Sequence, residues 1–340
     1  MDNTKLYETA AALLAPGKGI LAADQSARTM NKQLEGIGAT PDAETRRQYR
    51  QLLFATEGIE EFVTGVILYD GTIRNQTDSG TPFADVLASK GIVPIIKVDT
   101  GTVPHTNFPG EVVTQGLDNL SDRLAEYYDM GARAAKWRAV ITISEDTPTE
   151  ENLRTDAVSL ARYAALCQQH GIVPMVEPEV LHAGSHDLAT AEAVTTKTLQ
   201  ILFDELETQR VDLKGLILKS SMVLAGSEYA DQTTPEEVAA ASLRTYQNAV
   251  PEAVPGIVFL SGGQTPERAT ANLNAIAQLE KTENTPWEFA FSFSRGLEQP
   301  VQKAWQGKSE NIPAAQAALL ERLRLNGLAD SGAYTAEDEG

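Results

Sequence analysis

Thiol and imidazole ligands are scarce in this chain, whose 340 residues include one cysteine, Cys167, and four histidines. A lone thiol excludes an intramolecular disulfide and any structural site built from several thiolates. His182 and His186 have i,i+4 spacing, but Ala183-Gly184-Ser185 between them reads as a loop. Two imidazoles fall short of a zinc site, so no metal is expected. Positive charge is short as well: 28 Lys and Arg face 47 Asp and Glu, a net charge of −19. That balance argues against nucleic acid and anionic membrane surfaces as partners. It leaves room for an anionic small molecule, because a few inward cations set a local field of opposite sign. Apolar runs long enough to cross a bilayer are lacking. Met1-Asp2-Asn3 is not followed by a basic segment and then an apolar one. A cytoplasmic protein is the expectation, with a removed plastid transit peptide as the open alternative.

What is present is a repeated alternation. Eight β-type runs occur at Gly19–Ala23, Phe62–Tyr69, Val93–Val98, Ala134–Ile143, Val173–Val180, Gly215–Val223, Gly256–Leu260 and Trp287–Phe293. Helical patterns separate them, among them Glu44–Phe54, Leu120–Tyr128, Glu151–Gln169, Thr190–Glu207, Pro235–Gln247 and Pro266–Leu279. Thr234-Pro235-Glu236-Glu237 carries a capping box with proline at the first helical position, and Thr265-Pro266 repeats the cap. Gly171 stands where an αL helix stop belongs. Strand–helix alternation implies parallel pairing through helical crossovers. Eight units fit a closed (β/α)8 TIM barrel, with a helix before it and another, Pro313–Leu325, after it. An open doubly wound sheet is the alternative, but no Gly-x-Gly-x-x-Gly follows the first run. One domain over residues 1–330 is expected, followed by a mobile polar tail, Ser331–Gly340.

Charge interrupts these strands in an informative way. Lys219 lies inside Gly-Leu-Ile-Leu-Lys-Ser-Ser-Met-Val, the run most apolar on both sides. Desolvation favours a neutral amine, the form that attacks a carbonyl to make a Schiff base. Its stem snorkelling to water is the plainer reading. Lys97 and Asp99 close the third run, Lys136 and Arg138 lie in the fourth, and Glu177 and Glu179 in the fifth. Side chains spaced by two share one face of a strand. If that face is the barrel interior, these charges meet Lys219 at the C-terminal mouth, where barrel enzymes keep their chemistry. A purely structural ion-pair lattice among Lys136, Glu177 and Glu179 is the alternative. Asp24 follows the first run, either as a helix cap or as a further member of that mouth. Ser261-Gly262-Gly263 after the seventh run and Ser294-Arg295 after the eighth suit a phosphate, through backbone N–H groups and a guanidinium.

At these residues the sequence resembles the class I fructose-1,6-bisphosphate aldolases. The matching segments are Ile20-Leu21-Ala22-Ala23-Asp24, Lys97-Val98-Asp99, Thr114-Gln115-Gly116-Leu117-Asp118, Ala135-Lys136-Trp137-Arg138, Val176-Glu177-Pro178-Glu179, Leu218-Lys219, Leu260-Ser261-Gly262-Gly263-Gln264 and Lys303-Ala304-Trp305-Gln306-Gly307-Lys308. The resemblance implies reversible cleavage of fructose 1,6-bisphosphate to dihydroxyacetone phosphate and glyceraldehyde 3-phosphate, in glycolysis, gluconeogenesis and the Calvin cycle. It implies Lys219 as the Schiff-base lysine, Glu177 as acid/base, and Asp24 as the carboxylate linked to proton removal from the C4 hydroxyl. Lys136 becomes a cation beside the reacting centre that steadies Glu177 and Glu179. Ser261, Gly262 and Arg295 would hold the phosphate of the dihydroxyacetone half, with Gly263 and Ser294 of the same two loops as further candidates, and Lys97 and Arg138 the aldehyde half. No cofactor is implied, since the protonated imine is the electron sink. A homo-oligomer is implied, a tetramer before a dimer.

Three departures accompany the resemblance. Gln33 replaces the family's arginine, for which Arg28 or Lys32 is a substitute candidate. Ser294 replaces a glycine. The animal-type tail ending in tyrosine is not matched, which predicts slower proton exchange on the enamine or another proton donor. Sedoheptulose 1,7-bisphosphate carries the same two phosphate ends and stays open as a substrate. The rivals are another Schiff-base barrel enzyme, metal-dependent chemistry, and a catalytically silent scaffold on the same barrel.

Overall fold

The computed structural model describes residues 3–340; Met1 and Asp2, part of the stretch read for targeting signals, lie outside the described residues. Among the described residues ten strands form: β1 Gly19–Ala23, β2 Val63–Leu68, β3 Val93–Lys97, β4 Thr102–Pro104, β5 Val112–Thr114, β6 Ala134–Ile141, β7 Val173–Val180, β8 Ile217–Ser221, β9 Gly256–Leu260 and β10 Glu288–Phe293. Eight of them close a parallel barrel in the order β1-β10-β9-β8-β7-β6-β3-β2. The helical start signals act as expected from sequence. Thr234 and Glu237 make the reciprocal capping box, and the Thr265 side chain caps the helix Pro266–Glu283. Gly171 takes φ 69°, the left-handed turn that ends the helix Glu150–Gln169.

Alternation along the strands sorts side chains into two cores. Leu21, Val66, Ile96, Trp137, Val176, Leu218, Ile257 and Phe291 face outward into the layer shared with the helices. Ile20, Ile67, Ile95, Ala134, Met175, Ile217, Val258 and Ala290 face inward, where Leu6, Ala10, Leu13 and Leu14 from the first helix and its end pack against them. That helix, Thr4–Leu13, is a plug for the lower barrel. Two residues further along five of these strands the inward positions turn polar: Ile95 is followed by Lys97, Ala134 by Lys136, Met175 by Glu177, Ile217 by Lys219 and Ala290 by Ser292. A dry floor and a charged upper layer therefore come from one alternation pattern.

Three expectations change. The run read as Gly215–Val223 is strand only over Ile217–Ser221, because Leu213–Gly215 forms a 3-10 turn. The antiparallel pair β4–β5, with Val103 opposite Val113, was not legible as strand, since it is two three-residue pieces on an exposed rim. The tail Ser331–Gly340, read as mobile, packs onto the fold. Tyr334 is buried, and Glu339 accepts hydrogen bonds from the Arg322 guanidinium at 2.6 and 2.8 Å and from the Tyr334 hydroxyl at 3.0 Å. A guanidinium buried in the helix Ile312–Asp330 needs a carboxylate partner, and only the tertiary fold brings one.

The plug can approach the floor because glycine stands there. A Cβ added at Gly256 would lie 2.5 Å from Leu14 Cδ1 and 2.7 Å from the Glu288 carbonyl oxygen. Gly256→Ala is expected to destabilise the fold by about 1–3 kcal/mol through overpacking. Calorimetric unfolding checks this, and an unchanged midpoint would refute the close packing of plug and floor.

Candidate active site

The inward charges open onto a cleft of about 500 Å³ at the C-terminal ends of the barrel strands. All the site residues singled out from sequence line it: Asp24, Lys97, Lys136, Arg138, Glu177, Glu179, Lys219, Ser261, Gly262, Gly263, Ser294 and Arg295. Parallel register sets their relative heights. Lys97 pairs with Lys136 across β3 and β6, Arg138 with Glu177 across β6 and β7, and Met175 with Ile217 across β7 and β8. Lys219, two residues past Ile217, therefore stands level with Glu177 on the same inner face.

At the bottom of the cleft four groups form a chain of alternating sign. Lys219 Nζ lies 3.1 Å from Glu177 Oε1, Lys136 Nζ lies 2.9 Å from Glu177 Oε2, and Lys136 Nζ lies 2.7 Å from Asp24 Oδ2. Lys136, Glu177 and Lys219 are each 3% exposed. Glu177 Oε2 has no directed hydrogen bond, so its contact with Lys136 is an ion pair held by charge. Burial alone would raise the Asp24 pKa, but the ammonium groups of Lys136 and Lys219 overcome it and pull the carboxyl down to about 2. Glu177 is likewise lowered, against the effect of burial, by Lys136 and Lys219. Burial would discharge Lys136, yet Asp24 and Glu177 hold its pKa well above the ordinary lysine value. Asp24 is not the cap of the next helix: Ser26 fills that role by accepting from the Thr29 N–H.

Toward the mouth the charges pair separately. Arg138 contacts Glu179, and Lys97 contacts the Asp99 carboxylate and donates to its carbonyl at 3.0 Å. The β4–β5 hairpin is tied to this wall by Thr114, whose hydroxyl donates to the Arg138 carbonyl at 2.8 Å. On the opposite side Gly262 and Gly263 have φ values of 54° and 86°, a curl that leaves their backbone open to a ligand. A Cβ on Gly263 would lie 3.8 Å from an Arg295 terminal nitrogen, which puts that guanidinium beside the glycine loop. Arg295 also opens the helix Arg295–Trp305, whose free N–H groups favour an anion.

Arg28 and Lys32, the substitutes considered for the missing arginine, are exposed and do not line the cleft; Gln33 does. The Gln302 amide donates to Gln33 Oε1 at 3.3 Å. Tyr334 does not line the cleft either. Sequence reasoning missed Gln25, Ser26, Thr29 and the Thr100-Gly101-Thr102 rim, which also line it. Their one signal was adjacency to Asp24 and Asp99 just past strand ends. His182 and His186 lie on a loop lining a separate, much smaller cavity. Among the described residues no group of three or more His, Cys, Asp or Glu could hold a metal ion, and no helix is long and apolar enough to cross a membrane.

A family profile described as Fructose-bisphosphate aldolase class-I matches residues 5–340. A probable fructose-bisphosphate aldolase class 1 from Xanthomonas campestris pv. campestris is 48% identical over 335 residues, covering 98% of this chain and 99% of the relative. Cytosolic fructose-bisphosphate aldolase 6 of Arabidopsis thaliana is 47% identical over 333 residues, covering 98% and 92%. The solved fructose-bisphosphate aldolase of Plasmodium falciparum, crystallised with TRAP and a small-molecule inhibitor, superposes with a TM-score of 0.96. It is 42% identical, with 98% of this chain and 96% of that chain covered. A closed barrel with a lysine–carboxylate chain in its mouth, and kinship over nearly its whole length, make this chain a member of the class I fructose-bisphosphate aldolase family, aldehyde-lyases that act on a phosphorylated sugar.

Proposed function

We propose that the chain cleaves fructose 1,6-bisphosphate reversibly through a Schiff base on Lys219. The Lys219 ammonium first gives a proton to Glu177 Oε1, its neighbour at 3.1 Å, and the freed amine adds to the C2 carbonyl, one N–H proton moving to the former carbonyl oxygen. Glu177 returns a proton to the carbinolamine oxygen, water leaves, and a protonated imine remains. Asp24, kept ionised by Lys136, takes the proton of the C4 hydroxyl. The C3–C4 bond breaks, its electron pair moves into the imine to form an enamine, and the aldehyde departs. Protonation of the enamine at C3 and hydrolysis of the imine release dihydroxyacetone phosphate and free the amine.

Lys136 is the balancing cation of this scheme. It contacts both carboxylates and keeps them charged in a buried layer. Arg295 with Ser261, Gly262, Gly263 and Ser294 would receive one phosphate, and Lys97 with Arg138, the latter steadied by Glu179, the aldehyde half. The observation that carries this reading is the unbroken string Lys219–Glu177–Lys136–Asp24, with cationic groups on two sides of it. Sedoheptulose 1,7-bisphosphate has the same two ends and belongs to the same proposal as a second substrate. Family resemblance extends it to a cytoplasmic homo-oligomer serving glycolysis, gluconeogenesis or the Calvin cycle, the tetramer being readable by light scattering.

Borohydride reduction with dihydroxyacetone phosphate is expected to add covalent mass at Lys219, and an unmodified lysine would favour a silent scaffold. Lys219→Ala should abolish turnover while leaving phosphate binding; substantial residual cleavage would contradict the imine route. Arg295→Ala should weaken substrate binding by about 1.5–3 kcal/mol, the loss of a charged hydrogen bond. Unchanged affinity in a binding titration would remove Arg295 from the phosphate site.

Acid stability supplies a fourth check. The Asp24 carboxyl lies at about 2 against an ordinary 3.8, so its ionised form stabilises the fold above about pH 4. That contribution, about 2 kcal/mol from the size of the shift, is lost as pH falls from about 4 to 2. Urea unfolding at stepped pH should show the steeper acid loss in the parent chain than in Asp24→Asn. Parallel curves would mean that Asp24 is not held by the two lysines.

A further inference from the structure

The seam between β1 and β10 is short. Its register pairs only Ile20 with Ser292 and Leu21 with Phe293, and ends at the level where Ser292 lines the cleft. Asp24 on one side and Arg295 on the other lie beyond the last pair. A side chain bridges the gap. Gln25 donates from Nε2 to Ser294 Oγ at 2.7 Å and to Glu298 Oε1 at 2.6 Å, and its Oε1 accepts from the Arg50 guanidinium. Arg50 in turn pairs with Glu298 at 3.3 Å, with 3% and 1% of the two residues exposed. The Ser294 hydroxyl lies 3.4 Å from Glu298 Oε1.

Each partner has one workable chemistry. Glu298 is a buried carboxylate whose pKa burial pushes up, with Arg50 and Gln25 opposing that rise. Position 25 must therefore accept from a cation and donate to an anion at once, which an amide does and neither a carboxylate nor an alkyl group can. Burying an ion pair is a poor way to gain stability by itself. This pair instead touches side chains from both sides of the seam, Gln25 after β1 and Ser294 after β10. Gln25 also lines both the main cleft and a neighbouring cavity of about 450 Å³, so it is part of the wall between them.

We propose that Gln25 is a positioning residue that continues the β1–β10 seam past its last ladder pair, holding the Ser294–Arg295 phosphate loop at a set distance from Asp24. Ser294 thereby gains a purpose of its own: its hydroxyl anchors the loop to Gln25. The proposal rests on the Schiff-base reading above, with Arg295 as a phosphate group's partner.

The test is a charge exchange. Gln25→Glu sets a carboxylate against Glu298 and should lower kcat/KM for fructose 1,6-bisphosphate by about a hundredfold, the order expected when reacting groups shift by about 1 Å. Adding Glu298→Gln returns one amide and one carboxylate to the pair and should recover kcat/KM to within about threefold of the parent. Ser294→Gly, which removes only the anchor, should raise KM and the inhibition constant of inorganic phosphate by about fivefold or more, the loss of one hydrogen bond, with kcat less affected. Reductive trapping of dihydroxyacetone phosphate on Lys219, at saturating ligand, should persist in every variant. Unchanged kinetics in folded Gln25→Glu, or a double variant no better than the single one, overturns the proposal. If Gln25→Glu fails to fold, parental KM and phosphate inhibition in Ser294→Gly overturn it alone. Failure of trapping in the parent chain would instead overturn the Schiff-base reading.

Discussion

Two ammonium groups and two carboxylates share the dry upper layer of the barrel, and neither sign is tolerable there without the other. An isolated charge moved from water into such a layer costs several kcal/mol, and removal of one partner leaves the other stranded. Lys136 is the hinge of the arrangement because it alone touches both carboxylates. Its position makes the ionisation of Asp24 and Glu177 a property of the fold. The site is charged before any ligand arrives, so a substrate meets preset dipoles and charges rather than groups that must reorganise.

The layer exists because the barrel is filled from below. Inward apolar residues and the plug helix exclude water from the floor, and the glycines at positions 65 and 256 let Leu13 and Leu14 come close enough to do so. Strand alternation then places Lys97, Lys136, Glu177 and Lys219 each one inward step above an apolar residue. Floor and site are thus successive storeys of the same strands, and register errors would disturb both.

Local and global charge have opposite character. The chain carries −19 overall, whereas the cleft sets Lys97, Lys136, Arg138, Lys219 and Arg295 against Asp24, Asp99, Glu177 and Glu179. The acidic surface promotes solubility, and the slight excess of cations in the cleft suits a phosphorylated sugar. Because Arg138–Glu179 and Lys97–Asp99 are paired at the mouth, these cations are held in place rather than spread through solvent.

Much of this was legible in order of residues. Eight strand runs, the capping signals at Thr234 and Thr265, and the twofold spacing of Lys136/Arg138 and Glu177/Glu179 are local patterns, and local sterics and desolvation suffice to read them. The parallel barrel followed from counting them, and the kinship of the chain from the motifs they carry. What remained hidden depends on pairs far apart in sequence: Asp24 with Lys136, Gln25 with Arg50 and Glu298, Arg322 with Glu339, and the plug against Gly256. A single residue type does not announce a distant partner, since the energy of a buried charge or a close contact is set by what the closed fold places beside it. Composition and periodicity by themselves determined the architecture and the stock of chemical groups; tertiary closure alone decided which of them meet, because only closure removes the water that would otherwise keep them apart.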